Sequence, residues 1–266
     1  MFEQFFGLKF NPFTKEIPDK DLFMSQDLKE LISRLKYLQN TRGIGLLVGE
    51  AGTGKSTALR QYASSLNPSL YKVCYFALST VTVKEFYHGL ASMLGETPAY
   101  KKIALFQQIQ RAILSYYFDQ RITPVIMLDE IHMASNAVLE DLRLIFNFNM
   151  DSSNPFILIL SGQPLIKTKL SLNINSPLRQ RLAVKYTLQG LSKDELPEYI
   201  KTRLKIAGLT QDIFTPAALQ AIYANTKGFP RLVNNLATTC LMFAASQNKM
   251  LIDEEIVYQA QNEITL

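Results

Sequence analysis

The chain has no tryptophan, and only two cysteines and two histidines among its 266 residues. Cys74 and Cys240 both sit inside apolar runs, which reads as buried thiols in a reducing compartment and excludes a disulfide framework. His88 and His132 stand without CxxC or HxxxH spacing, which argues against a zinc site. Long apolar runs are missing too: a stretch such as Phe156 to Leu160 falls far short of the roughly 20 residues a spanning helix needs. The N-terminus, MFEQFFGLKFNPF, carries an acid at Glu3 and no small-residue cleavage site, so it is not a signal peptide. Charge is sparse, at 19% of residues, and nearly balanced at +5. With 47% hydrophobic residues this composition excludes intrinsic disorder. A chain of this length buries a large core without staples. The expectation is a cytoplasmic protein with no membrane partner.

What is present is alternation. Short β-rich apolar runs at Ile44–Val48, Val73–Leu78, Pro124–Leu128, Phe156–Leu160 and Ala183–Leu188 are separated by helical stretches near 55–66, 83–95, 101–118 and 135–149. Strand-then-helix alternation predicts an α/β fold with a mostly parallel sheet covered on both faces. After Gly190 only helices are expected, near 192–207, 215–226, 230–248 and 253–264. Ser192 with Glu195 reads as a capping box. Thr215-Pro216 supplies a cap and then a proline at a first helical position. A boundary near 190 therefore divides an α/β domain (1–190, with 1–43 as its N-terminal segment) from a small helical domain (191–266). The charge divides there as well. Residues 191–266 hold 7 basic and 8 acidic side chains, so the basic excess, net +6, belongs to residues 1–190.

Gly49-Glu50-Ala51-Gly52-Thr53-Gly54-Lys55-Ser56, followed by Thr57, fits GxxxxGK[ST] between a predicted strand and a predicted helix. Glycines allow consecutive N–H groups to turn inward onto phosphate oxygens, and the helix N-terminus adds partial positive charge. Lys55 would reach the β- and γ-phosphates of ATP, and Ser56 would offer its hydroxyl to Mg²⁺. Val125-Ile126-Met127-Leu128-Asp129-Glu130 is an apolar strand ending in two acids, which delivers both carboxylates to the C-terminal edge of the sheet. Asp129 would hold Mg²⁺, directly or through water, and Glu130 would orient and polarise the attacking water.

These two motifs, in this order, resemble the AAA+ ATPases, with Walker A at 49–56 and Walker B at 125–130. The resemblance implies a P-loop core with a five-stranded parallel sheet in the order 5-1-4-3-2, a small α-helical lid, ATP bound between core and lid, and a homo-oligomer, either ring or helical filament. It also implies roles for further residues. In Ser161-Gly162-Gln163-Pro164, Gln163 is the candidate first sensor, with Ser161 behind it. In Leu178-Arg179-Gln180-Arg181, Arg181 is favoured over Arg179 as the arginine that crosses to a neighbour's ATP. In Gly228-Phe229-Pro230-Arg231, Arg231 is the candidate second sensor. Asn11-Pro12-Phe13 matches an N-terminal motif beside the adenine, while most of the surrounding phenylalanines read as packing.

The runs FFGLKFNPF, SGQPLI, LRQRL and GFPRLVNNL look like the ExeA-type branch, which contains secretion and pilus ATPases and also the helpers of transposition, alongside MuB, TnsC and IstB. The secretion class typically continues into a membrane span and a cell-wall-binding region, whereas this sequence stops at Leu266. The expectation is therefore the transposition class: an ATPase that oligomerises on duplex DNA with ATP, marks a target, recruits a transposase, and disassembles on hydrolysis. The alternative is an ExeA-like ATPase of secretion or pilus assembly, and a clamp-loader or initiator-like loading ATPase ranks third. In related DNA-binding ATPases the segment after the second strand contacts phosphates. Here it holds Thr82, Lys84, Thr97, Tyr100, Lys101 and Lys102, which read equally well as a solvated helix face. No base-reading module is recognisable, so DNA binding would be largely sequence-independent.

Overall fold

The computed structural model describes residues 2–78 and 80–264; Met1 and Leu266, the ends of the two sequence-assigned domains, fall outside them, as do Ser79 and Thr265. In chain order the elements are α1 (Phe2–Phe6), α2 (Gln26–Thr41), β1 (Gly43–Gly49), α3 (Lys55–Ser65), β2 (Tyr71–Ala77), α4 (Val83–Met93), α5 (Lys102–Leu114), β3 (Thr123–Asp129), α6 (Asn136–Ile145), β4 (Ile157–Gly162), α7 (Leu165–Ser171), α8 (Ser176–Gln180), β5 (Leu182–Leu188), α9 (Glu195–Ile206), α10 (Pro216–Thr226), α11 (Pro230–Ser246) and α12 (Glu254–Ile264). The five strands pair in parallel in the order β2-β3-β4-β1-β5, the order that the family resemblance implies, read from the other edge.

The chain divides into two compact units, one of Glu30–Ala51 with Lys55–Leu188, the other of Met1–Lys29, Gly52–Gly54 and Gln189–Leu266. In the first, β1 and β4 are buried at every position, and β3 is buried from Pro124 onward. Helices cover both faces of a parallel sheet, so its central strands carry no polar alternation. β2 lies at the edge and keeps only Cys74 fully buried. α4 starts on a complete capping box, in which Thr82 and Glu85 satisfy each other's backbone N–H groups. One expected helix is shorter than its sequence pattern: the stretch 135–149 leaves the helix after Ile145. Phe146 and Phe148 turn inward there onto Phe156, with ring centroids 4.7 and 5.7 Å away, and Asn149 and Met150 adopt left-handed backbone. Aromatic burial outweighs continued helical pairing at that point.

The helical unit holds α9–α12 with α1 and a core running from Phe2 and Phe6 through Leu196, Ile200 and Val233 to Ile256. Ser192 and Glu195 exchange the two bonds of the capping box, at 3.0 and 3.3 Å. Thr215 accepts from the Ala218 N–H at 3.1 Å ahead of Pro216. The N-terminal segment corrects the sequence assignment: residues 2–29 pack with the helices, not with the α/β core. Phe2, Phe6, Leu8 and Phe13 are buried in the helical core, where each such side chain contributes roughly 1.5–3 kcal/mol. Arg203 anchors the segment by donating to the carbonyls of Pro12 at 2.6 Å and Thr14 at 2.5 Å.

The approach to α11 depends on Gly228, whose φ is 73° and whose carbonyl accepts the Leu191 N–H at 2.9 Å. A Cβ at this position would lie 2.0 Å from the Leu191 carbonyl oxygen. Gly228→Ala is therefore expected to destabilise the protein by roughly 3 kcal/mol, combining backbone strain with overpacking. Thermal denaturation should show a midpoint lower by about 6–12 °C; an unchanged midpoint would contradict the constraint.

Candidate active site

β1 feeds directly into the loop Gly49–Ser56, and α3 begins at Lys55. Gly52 (φ 86°) and Gly54 (φ 103°) take the positive-φ backbone that a phosphate-cradling loop demands and that residues with a Cβ rarely adopt. Lys55 is buried, and its ammonium donates to the carbonyls of Gly49 at 2.8 Å and Glu50 at 3.0 Å. The lysine is thus folded back over its own loop, where anionic oxygens would be cradled by a helix N-terminus.

Asp129, the last residue of β3, is 2% exposed, and its carboxylate is the hub of the site. Oδ2 accepts the Ser56 hydroxyl at 3.0 Å and the Tyr75 phenol at 3.0 Å. Oδ1 accepts the Ser161 hydroxyl at 2.7 Å and the Glu130 N–H at 3.0 Å. Ser56 donates a hydrogen bond to the carboxylate, which leaves its oxygen lone pairs available to a cation. A hydroxyl and one carboxylate beside a phosphate loop form a hard-oxygen donor set suited to Mg²⁺, which takes few protein ligands and completes its shell with substrate phosphates and water. Among the described residues no group of three or more His, Cys, Asp or Glu gathers to hold a metal. The residues present therefore fit Mg²⁺: Ser56 and Asp129 would hold it, and bound there it would neutralise charge on the phosphates.

Glu130 leaves the strand line with φ 56° and ψ 32°. A non-glycine residue in that region costs on the order of 1–3 kcal/mol, and such residues cluster at active sites. The turn sets its side chain partly exposed, with Oε2 3.3 Å from Nδ1 of His132. His132 is buried, and the same Nδ1 lies 3.3 Å from the Gln163 N–H. By accepting the Gln163 N–H through Nδ1, the His132 ring ties the turn that follows Glu130 to the end of β4. Lys169 braces the turn from below, donating to the carbonyls of His132 at 2.6 Å and Ala134 at 2.7 Å.

The remaining sequence candidates fare unevenly. Ser161 is fully buried against Asp129, whereas Gln163 is half-buried just beyond the strand end. Arg181, favoured from the sequence, is half-buried and donates to the Arg143 carbonyl of its own chain at 2.9 Å, while Arg179 is exposed. Within the helical unit, Arg231 is exposed at the start of α11, and its N–H lies 3.3 Å from the Gly52 carbonyl. A Cβ on Gly52 would come within 2.9 Å of Arg231 Cβ, so glycine permits that approach. In the same unit Asn11 accepts the Phe13 N–H at 2.9 Å and folds Asn11-Pro12-Phe13 into a tight turn.

In the segment read as a DNA face, the side chains take up separate contacts, except that Lys84 meets Tyr100. Lys102 pairs with Asp141 at 2.7 Å. Lys84 Nζ lies 3.9 Å from the centre of the Tyr100 ring. The Thr97 carbonyl accepts Gln108 at 2.8 Å. Lys101 is exposed at the N-cap of α5. Two of the three lysines therefore have partners of their own.

Tyr75 was not legible as a site residue. Its signal was strand parity: Tyr75 pairs with Met127 and Ala77 with Asp129, so Tyr75 and Asp129 face the same side of the sheet, two residues apart along it. Burial first, and then the charge of Asp129, pushes the phenol up to about 12, so it is a neutral donor at ordinary pH.

A parallel sheet with a glycine-rich loop after β1 and, at the end of β3, an acid that accepts the hydroxyl of that loop's serine defines a P-loop ATPase. Residues 38–170, half the chain, match the family model of the AAA domain, and the chain belongs to that family. General secretion pathway protein A of Aeromonas hydrophila is 34% identical over 259 residues, covering 94% of this chain and 46% of that protein. The chain thus spans about half the length of that curated relative. Among solved structures, Cdc6p of Pyrobaculum aerophilum superposes with a TM-score of 0.70 at 15% identity, over 95% of this chain and 70% of that one. Drosophila ORC bound to DNA gives 0.68 at 17%, over 96% and 64%. The RuvB Holliday junction branch migration motor of Thermotoga maritima gives 0.59 at 21%, over 95% and 73%. These likenesses establish the fold alone. The curated relative lies on the secretion side of the ExeA-type branch, against the preference for transposition drawn from the sequence. No helix among the described residues is long and apolar enough to cross a membrane.

Proposed function

We propose that this chain is the nucleotide-driven module of a protein of the General secretion pathway protein A type. ATP with Mg²⁺ binds at Gly49–Thr57, and Glu130 orients the water that attacks the γ-phosphate. The observation that carries the reading is the Ser56–Asp129 bond beside the buried Lys55, because it brings a cation's hydroxyl and carboxylate together next to a phosphate loop. Gln163 and Arg231 serve as the two sensors, and Asn11-Pro12-Phe13 lines the adenine side. Arg181, or Arg179 beside it, is the arginine offered to a neighbouring subunit; Arg181 also donates to the Arg143 carbonyl of its own chain, whereas Arg179 is exposed. ATP at such subunit boundaries would favour a homo-oligomer, and hydrolysis would release it by removing the γ-phosphate that the arginine contacts.

The transposition reading, with duplex DNA and a transposase as partners, is favoured by one observation, the net +6 of residues 1–190. Mass photometry with a non-hydrolysable ATP analogue, with and without duplex DNA, separates the two readings. Assembly that needs nucleotide but not DNA is expected. Assembly that appears only with DNA would favour target marking instead. Lys101→Glu is the clean probe of the basic face: Lys102→Glu would set a carboxylate against the buried Asp141. On the secretion-type reading, Lys101→Glu leaves DNA affinity within about twofold of wild type, below the energy of a single phosphate contact.

A further inference from the structure

Of the four donors to Asp129, Tyr75 is the one on neither the phosphate loop nor the strand ends that bear the acids and the first sensor. It comes from the edge strand β2, and 52% of it is exposed. Oδ1 is fixed by the Ser161 hydroxyl and the Glu130 amide. Oδ2 is held by Ser56 and Tyr75. A carboxylate turns easily about its terminal torsion, which is broad and roughly two-fold; two donors on each oxygen fix its plane. Ser56 has a second task, since its oxygen lone pairs would also ligate a cation. Without Tyr75, Oδ2 would then be secured only by a group that the cation itself engages. A phenol also suits the position electrostatically. It donates one hydrogen bond and adds no positive charge, so the carboxylate keeps its attraction for a divalent ion, which a lysine or arginine there would weaken.

We propose that Tyr75 is a positioning residue for the cation site, holding Asp129 so that its Oδ2 and the Ser56 hydroxyl present a fixed pair of oxygens to a divalent metal. The proposal rests on the ATP-and-magnesium reading of the site and adds a residue that neither motif contains. Partners in the shell behind a metal's ligands orient those ligands, and their loss commonly costs tenfold or more in metal affinity.

The test uses the full chain carrying Tyr75→Phe. Mn²⁺ binding in the presence of ADP is read by electron paramagnetic resonance, and a fluorescent ATP analogue in EDTA reports nucleotide affinity without metal. The expected result is a Mn²⁺ dissociation constant raised about tenfold, at the lower end for such partners because this one is half-exposed, with metal-free nucleotide affinity unchanged. A merely structural role would weaken both together, and that outcome overturns the proposal, as does unaltered Mn²⁺ affinity. Tyr75→Leu controls for the ring: it should reproduce the Phe defect. A defect in the leucine variant alone would assign the effect to packing and overturn the role of the hydroxyl. Wild-type protein that binds no nucleotide-dependent Mn²⁺ would overturn the ATP reading and this proposal together. Wild-type binding that the phenylalanine variant matches removes only Tyr75.

Discussion

Lys55→Ala is expected to weaken ATP binding by about 10²–10⁴-fold, at 1.4 kcal/mol per factor of ten, since two charge-assisted hydrogen bonds to phosphate contribute roughly 3–6 kcal/mol. Lys55 begins α3, so its Cα is fixed by the helix while its ammonium turns back to the Gly49 and Glu50 carbonyls. In that position it is already desolvated, and an arriving phosphate meets a positive charge whose dehydration cost was met on folding. Alanine removes the charge and leaves the fold of the loop to its glycines. Isothermal titration with ATP measures the loss, and thermal denaturation checks that the variant still folds. Wild-type affinity in a folded variant would remove the phosphate-binding role of this loop. On the oligomer proposal the same variant also loses nucleotide-dependent assembly, because the arginine of a neighbour has no phosphate to meet.

The sheet was legible because its strands are short, apolar and punctuated. Ile44–Val48 and Phe156–Leu160 are buried on both faces, so their sequence carries no competing periodicity. The caps at Ser192 and Thr215 were legible because they act over three residues of chain. Helix α2 also had a signal, leucines 28, 31, 35 and 38 at helical spacing and all buried, yet it lies between a loop-rich segment and the first strand and received no assignment. The N-terminal segment went to the wrong unit because proximity in sequence to β1 says nothing about the Arg203 bonds that join it to α9. The same limit applies to the candidate site. The loop and the acids are read from short motifs. Tyr75, Lys169 and the Arg181–Arg143 contact depend on strand register and helix packing that bring together residues far apart in the chain. The lysines of the supposed DNA face could be counted in the sequence, but Asp141, the partner of Lys102, follows it by some forty residues and could not be paired with it there.

Glu130→Gln should lower kcat for ATP by roughly 10²–10⁴-fold, the usual contribution of a positioned general base, while ATP affinity stays within about twofold. The separation of the two effects follows from geometry. Glu130 is absent from the phosphate loop and from the bonds that hold Asp129 by side chain; it contributes only its N–H to Asp129, and the glutamine keeps that N–H. The replacement is isosteric, so the left-handed turn at φ 56° and its brace from Lys169 remain. What changes is the carboxylate beside His132. A carboxylate can accept a proton from water and orient it by charge; the amide offers a weaker acceptor and two donors, one of which can bond Nδ1 and turn the remaining oxygen away. Single-turnover hydrolysis, with ATP binding measured separately, resolves chemistry from affinity. Parallel loss of affinity and rate would make Glu130 a binding residue. Retained turnover would move the base elsewhere, and His132, in contact with both Glu130 and the Gln163 backbone, would be the group to substitute next. With chemistry blocked and binding intact, the variant should accumulate in whatever assembled form ATP produces, and mass photometry over time would show a complex that persists where the wild-type one decays.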